Sequence, residues 1–203
     1  MKKLAIILMI LSGASLSACM DNVCESSEAA MIQINSPDGA FLIDAYEASR
    51  SNATSSTEGN GVTLACNYRG TIPWGNVTYE DARNACLDAG KRLCTQAEWM
   101  AACGQLYPYG SNFADGKCTG PNANESSATG AKGGCKTSSG IFDMSGNVRE
   151  WVEGGTLMGG AYNSTTADEL KCGAALSPQS YDTYSPNRGD GFRCCQDVGS
   201  LQE

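Results

Sequence analysis

The sequence predicts one α+β domain with two main helices, small antiparallel strands and long loops, stapled by disulfide bonds. The 203 residues include 24 glycines and 11 cysteines, a composition typical of loop-rich secreted domains held by cross-links. Two segments carry helix start and stop signals, and short apolar runs separated by turn residues indicate strands. The length allows one domain with a hydrophobic core and disfavours a second.

Two helices are predicted from their capping residues. Thr78 and Asp81 precede the first, which Gly90 should end. A capping box of Thr95 and Glu98 precedes the second, which should end at Gly104. Each helix carries one cysteine near its end, and no further helix is expected after residue 104.

The first strands are predicted near the start of the domain. Residues 31–34 and 40–43 are apolar or alternating and flank a Pro-Asp-Gly turn at 37–39, which predicts a hairpin. Residues 49–61 are rich in Ser, Thr, Asn and Gly and should form an exposed loop.

The N-terminal residues have the pattern of a secretory signal. Lys2 and Lys3 precede an apolar run at 4–11, and Leu16-Ser17-Ala18-Cys19 resembles the lipobox of bacterial lipoproteins. We therefore expect a signal peptide at 1–18, a lipid on Cys19 that anchors the chain to a membrane, a tether at 19–30, the domain at 31–198 and a tail at 199–203. Met20 in place of Asp favours the outer membrane of a bacterial cell envelope. The alternative is an ordinary signal peptide that happens to be cleaved before a cysteine.

Charge and composition exclude several functions. Removal of Lys2 and Lys3 with the signal leaves 12 of the 14 basic side chains against 22 acidic ones, a net charge of −10. Nucleic acid is therefore not expected as a partner, whereas a hard cation is compatible, although acidity also serves solubility alone. The chain has no histidine, which removes Ser-His-Asp and Cys-His catalysis and the usual zinc and iron ligand.

Lipidation of Cys19 would leave ten of the 11 cysteines, an even number suited to five disulfides in an oxidising compartment. Cys118 and Cys135 bracket a Gly/Asn/Ser loop and are expected to pair locally. A metal–thiolate cluster is the alternative, but the spacing contains no C-x-x-C and the compartment is oxidising.

Several collinear segments within residues 31–198 resemble the family of formylglycine-generating enzymes, also called sulfatase-modifying factors. These segments are Trp74-Gly75-Asn76-Val77-Thr78, Gly90-Lys91-Arg92-Leu93-Cys94, Tyr107-Pro108-Tyr109-Gly110, Asp143-Met144-Ser145-Gly146-Asn147-Val148-Arg149-Glu150-Trp151, Gly159-Gly160-Ala161-Tyr162 and Gly191-Phe192-Arg193-Cys194. The resemblance implies an irregular C-type-lectin-like fold with little regular structure.

The resemblance also implies a calcium site in the segment 143–151. Its ligands would be the side chains of Asp143 and Glu150 and the backbone carbonyls of Gly146 and Val148. The alternative is purely structural, with the apolar residues of the segment in the core and the acids capping a turn. A second calcium site of the family would fall near Asn124 and Glu125, and is not carried over because the following loop is rebuilt around Cys118 and Cys135.

The family joins its first helix to the Gly-Phe-Arg-Cys strand and its second helix to a later strand. This implies disulfides Cys86–Cys194 and Cys103–Cys172. The four cysteines then left, apart from the Cys118–Cys135 pair, are assigned as Cys94–Cys195 and Cys24–Cys66.

The catalytic elements of the family are missing. The enzymes bind copper(I) through a cysteine pair beyond the Gly-Gly-Ser motif, but no cysteine lies between Gly160 and Cys172. Ala161 replaces the serine, Gly189 stands where an asparagine is expected, and the iron-dependent relatives need histidine. We therefore expect no copper, no iron and no catalytic residue.

The sequence thus predicts a non-catalytic, lipid-anchored binding or structural module. The alternative is an oxidoreductase of the formylglycine-generating type that oxidises a cysteine or sulfur compound through an unrecognised site. A glycan or peptide is the expected ligand class, in a cleft that we expect to be lined by aromatic residues, namely Trp74, Tyr109, Trp151, Tyr162 and Tyr184. Burial of the same aromatic side chains in the core is the alternative.

Overall fold

A computed structural model describes Cys24 and residues 31–199 of the chain. The predicted signal peptide, Cys19 and most of the predicted tether lie outside the described residues. The elements are β1 (Met31–Ser36), β2 (Gly39–Asp44), α1 (Tyr79–Asp88), β3 (Arg92–Leu93), α2 (Gln96–Cys103), β4 (Arg149–Val152), β5 (Thr156–Met158), a 3-10 turn (Asp168–Leu170), β6 (Ala175–Leu176), β7 (Asp190–Phe192) and β8 (Cys194–Asp197). None of the described helices is long and apolar enough to cross a membrane.

Two four-stranded sheets form the scaffold. The first has the order β1-β2-β8-β3 and is antiparallel throughout, with the predicted hairpin closing where Ser36 pairs with Gly39. The second has the order β6-β5-β4-β7. Its β4 and β7 strands run parallel, with Glu150 opposite Gly191, and β7 is followed directly by β8 of the first sheet.

Both predicted helices are present with their predicted caps. The Thr78 side chain accepts from the Asp81 backbone N–H at the start of α1. At α2 the capping box of Thr95 and Glu98 is complete, and Gly104 ends the helix in the left-handed region at φ 78°, where glycine has no steric penalty. The 3-10 turn at 168–170 was not expected, since its three residues carry no side-chain cap.

Five disulfides cross-link the domain. They have the pairing assigned from the sequence: Cys24–Cys66, Cys86–Cys194, Cys94–Cys195, Cys103–Cys172 and Cys118–Cys135. The adjacent Cys194 and Cys195 on β8 thereby connect that strand to α1 on one side and to residue 94 on the other. Two apolar clusters flank the cross-links, one around Trp99 and one around Trp151, both almost fully buried.

Candidate functional site

A buried ion pair between Glu150 on β4 and Arg193 lies at the centre of the domain. Arg193 donates from Nε to Glu150 Oε2 at 2.6 Å and from Nη2 to Oε1 at 2.7 Å. The indole Nε1 of Trp99 donates to the same Oε2 at 2.7 Å. Arg193 also donates to the backbone carbonyls of Asp44 and Phe142. Arg193 lies between β7 and β8 in the chain. Its guanidinium therefore connects the two sheets, because it binds Glu150 of β4 and the carbonyl of Asp44 at the end of β2.

Asp143 is the second predicted calcium ligand, and it is also buried, with 1% of its surface exposed. Its Oδ2 accepts from the Gly130 backbone N–H at 2.6 Å, while its Oδ1 has no hydrogen-bond partner among the described residues. Burial raises the pKa of Asp143 to about 7, although the Gly130 hydrogen bond and the charge of Arg193 act to lower it. The buried Oδ1 is thus an oxygen without a partner.

Glu47, which follows β2, is a third buried carboxylate that the sequence analysis missed. Its Oε1 accepts from the Val148 backbone N–H at 3.0 Å and its Oε2 from Asn147 Nδ2 at 2.5 Å. Burial, together with repulsion from the two other carboxylates, raises the pKa of Glu47 well above its ordinary value. The sequence offered one signal, a single carboxylate within the otherwise uncharged run at 45–48.

A divalent cation would balance the charges of this cluster if all of its carboxylates were ionised. When all are ionised, the three buried carboxylates of Glu47, Asp143 and Glu150 face the single guanidinium of Arg193, which leaves two negative charges in surplus. Uncompensated buried charge is costly. Calcium prefers carboxylate and carbonyl oxygens, and the unpartnered Oδ1 of Asp143 provides one.

The segment 143–150 carries all four predicted ligands in one turn and the start of β4. Within the described part of the chain no three acidic, histidine or cysteine side chains are grouped as metal ligands. A calcium ion would therefore depend on the carbonyls of Gly146 and Val148 as well as on Asp143. It would also share Glu150 with Arg193 and Trp99, which already donate to both of that carboxylate's oxygens.

A polar cleft of about 420 Å³ opens on the surface. Its wall is mostly polar and comprises Ser56, Glu58, Ile72, Pro73, Gly75, Asn124, Glu125, Ser126, Tyr162 and Arg188. Glu58 is held in place, since its Oε1 accepts from the Gly75 backbone N–H at 3.1 Å and lies 3.5 Å from Arg50 Nε. Glu125 and Arg188 are exposed and form no ion pair with another described residue. Asn124 and Glu125, near which a second calcium site of the family would fall, therefore lie in the cleft wall.

Asn147 connects the buried carboxylates to this cleft. While Nδ2 donates to Glu47, Oδ1 accepts from the Ser127 backbone N–H at 2.8 Å. The Asn147 carbonyl accepts from the Tyr162 N–H at 2.8 Å, and the Tyr162 carbonyl accepts from Ala123 N–H at 2.9 Å. The segments that carry residues 124–126 and 162 in the cleft wall are thus positioned by one buried residue, through its side-chain amide and its backbone carbonyl.

The expectation of an aromatic cleft is corrected for four of its five residues. Trp74 and Trp151 are core residues, exposed by 3% and 1%. Tyr184 packs edge-on against Trp151, and Tyr109 stacks on Tyr107. Only Tyr162 lines the cleft. The large rings fill the space between the sheets and helices, which a domain with few large aliphatic side chains needs for its core.

The positions of the family's missing catalytic groups are closely packed. Ala161 is fully buried, and a Cβ placed on Gly189 would lie 3.0 Å from the Ala161 Cβ and 2.9 Å from Asn163 Oδ1. Cys172 is bonded to Cys103, and the other eight described cysteines are also in disulfides. The described residues therefore offer no free thiolate near Gly160 for copper(I).

Solved structures share this fold. The variable protein 1 of Treponema denticola superposes with a TM-score of 0.56 at 16% identity, over 83% of this chain and 92% of its own. The crystal structure of CarF gives a TM-score of 0.55 at 17% identity, over 84% of this chain and 98% of its own. The I1 variant of the Major Tropism Determinant gives 0.56 at 15% identity, over 82% of this chain but about half, 52%, of its own.

A comparison of the sequence with family models identifies the family of this chain. The profile of the sulfatase-modifying factor enzyme 1-like domain matches residues 13–198, which is most of the chain and includes the 143–150 segment, the cleft wall and Arg193. The chain therefore belongs to the family of sulfatase-modifying factor enzyme 1-like domains.

Proposed function

We propose that the protein is a lipid-anchored component of a bacterial cell envelope whose domain binds a ligand in the polar cleft without transforming it. Met20 in place of Asp supports attachment to the outer membrane. The observation that carries this proposal is the chemistry of the cleft wall. It has carboxylate, guanidinium, amide and hydroxyl groups and no thiol or histidine among its residues. Such a wall binds and orients a polar molecule by hydrogen bonds but provides no redox centre.

The groups of the cleft favour a glycan or peptide as the ligand. Arg188 and Glu125 offer one cation and one anion on the same wall, neither ion-paired with another described residue, and Tyr162, which is 9% exposed, also lines this wall. Sugars and peptide backbones present both donors and acceptors, which this mixture can match. A fixed Glu58, held by Gly75 and Arg50, gives the cleft an acceptor whose position is set before binding.

We further propose a structural role for calcium, bound by Asp143, Gly146, Val148 and Glu150. The ion would neutralise the surplus buried charge and stabilise the turn that presents Asn147. Since Asn147 holds the Ser127 and Tyr162 backbones, calcium would fix the shape of the cleft without contacting the ligand.

Binding is tested with the mature chain on a glycan array and a tetrapeptide library. Any hit should weaken at least tenfold in Arg188→Ala, whereas Arg83→Ala on α1, a basic residue outside the cleft, should bind as the unchanged chain does. Equal binding by both variants would place the ligand elsewhere. The anchor is tested separately by the mass of the N-terminus of membrane-extracted protein, where an unmodified Cys19 would refute lipidation.

A further inference from the structure

One face of this acidic protein carries a concentration of unpaired positive charge. Of the 12 basic side chains after residue 18, six form ion pairs with described residues, and these are Arg50, Lys91, Arg92, Arg149, Lys171 and Arg193. Four of the remaining six lie together on what we call the basic face, formed by Arg69, Lys117, Lys132 and Lys136. All four are exposed.

Contacts between separate loops bring these four residues together. The Arg69 guanidinium and the Lys136 ammonium lie 5.9 and 5.8 Å from the centroid of the same Phe142 ring. Lys117 and Lys132 line one shallow depression of about 340 Å³, whose wall also includes Asp115 and the backbone of Gly133 and Gly134. The Cys118–Cys135 disulfide joins the immediate neighbours of Lys117 and Lys136. Asp115 is the one acidic residue of the depression.

The Cys24–Cys66 disulfide places Cys24 near Arg69 of the basic face. The Cα atoms of the two cysteines are 5.4 Å apart, and Arg69 follows Cys66 by three residues. Thr129 Oγ1 donates to the Tyr68 carbonyl and its own carbonyl accepts from Gly70 N–H, which fixes Arg69 beside the 129–136 loop. Cys19 precedes Cys24 by five residues, which can span at most about 18 Å.

We propose that the basic face docks onto the anionic headgroups of the membrane that holds the Cys19 lipid. This inference rests on the lipid anchor of the proposed function. The short connection from Cys19 to the Cys24–Cys66 disulfide keeps that part of the domain close to the bilayer surface. There, cationic side chains gain from the negative surface potential. Phe113, which is 37% exposed and next to Ala114 of the depression, suits an interface with lipid better than a soluble anion.

Docking is tested on the mature chain with Cys19→Ser, so that the face acts without the anchor. The probe is sedimentation with vesicles of phosphatidylethanolamine and phosphatidylglycerol, at roughly 0.1 M salt, where screening over about 10 Å suppresses repulsion from the rest of the acidic protein. The double variant Lys117→Ala, Lys132→Ala should bind about 25-fold more weakly, at about fivefold for each of the two charges.

Arg83→Ala removes a basic residue that lies outside the basic face and forms no ion pair with a described residue, so it should leave vesicle binding unchanged. Unaltered melting temperatures would show that both variants fold. Equal sedimentation of the double variant and the Arg83 variant, binding to pure phosphatidylcholine vesicles, or no binding at all would overturn the inference. None of these results bears on the lipid anchor, which depends on the mass of the N-terminus alone.

Discussion

Asn147 and Glu47, 100 residues apart in the chain, are joined by a buried hydrogen bond of 2.5 Å from Nδ2 to Oε2. The same glutamate accepts from the Val148 N–H, so it ties the end of β2 to the 143–150 segment. The Asn147 side-chain amide in turn accepts from the Ser127 N–H, and the Asn147 backbone carbonyl accepts from the Tyr162 N–H, so this residue contacts both segments of the cleft wall. Packing of the first sheet is therefore coupled to the shape of the cleft.

Glu47→Ala should lower the free energy of unfolding by about 2–3 kcal/mol, because the Asn147 amide and the Val148 N–H lose their buried acceptor. Asn147→Ala should cost a similar amount, and the double variant less than the sum, with a coupling of about 1 kcal/mol or more. Chemical denaturation measures all three. Glu80→Ala, an exposed glutamate on α1, is the control and should change stability by less than about 0.5 kcal/mol. Strict additivity would contradict the coupling.

Calcium should raise the melting temperature of the chelator-treated protein, because an ion that binds only the folded state stabilises it by mass action. Asp143→Asn should reduce the increase, since it removes one of the two surplus charges. Asparagine also tolerates the left-handed φ of 57° found there. Differential scanning calorimetry with and without chelator gives the shift. Identical melting curves would show that Arg193 and protonation of the carboxylates satisfy the cluster without a metal.

The parts of the fold that were predicted correctly depend on local sequence. The helix caps at Thr78 and Thr95 and the turn at 37–39 need only neighbouring residues. The burial of Trp74, the parallel pairing of β4 with β7 and the Glu47–Asn147 bond depend on segments distant in the chain. Periodicity and turn residues carry no information about such contacts, and the family resemblance identified the 143–150 segment without its partner at Glu47.

The capping box of α2 should make stability depend on pH in the acid range. Burial alone would raise the pKa of Glu98, but hydrogen bonds from Arg92 and from the Thr95 backbone outweigh it and hold the pKa below its ordinary value. The stabilisation is thus present above the unfolded-state pKa of about 4.3 and is lost as the pH falls through the lower, folded-state pKa.

Glu98→Gln keeps a capping-box side chain but has no charge to titrate. Its destabilisation relative to the unchanged chain should therefore be largest at neutral pH and shrink below about pH 4. Urea denaturation across this range measures the difference. The exposed Glu80→Gln on α1 should show no such change, and a pH-independent difference for Glu98→Gln would mean that the Arg92 pair contributes nothing.

The protein should not convert the cysteine of a Cys-x-Pro-x-Arg peptide to formylglycine, even when copper, oxygen and a reductant are supplied. Copper(I) needs thiolates, and Cys172, the cysteine nearest to Gly160 in the sequence, is bonded to Cys103. The backbone at Gly189 packs closely against Ala161, so the space for the family's serine and asparagine is occupied. Mass spectrometry of the peptide detects the aldehyde.

Turnover that disappears in Cys172→Ser would establish catalysis through a reduced Cys103–Cys172 pair and would restore the oxidoreductase alternative. Absence of product, together with ten cysteines that resist alkylation in the native protein, would leave ligand binding in the polar cleft as the activity to pursue.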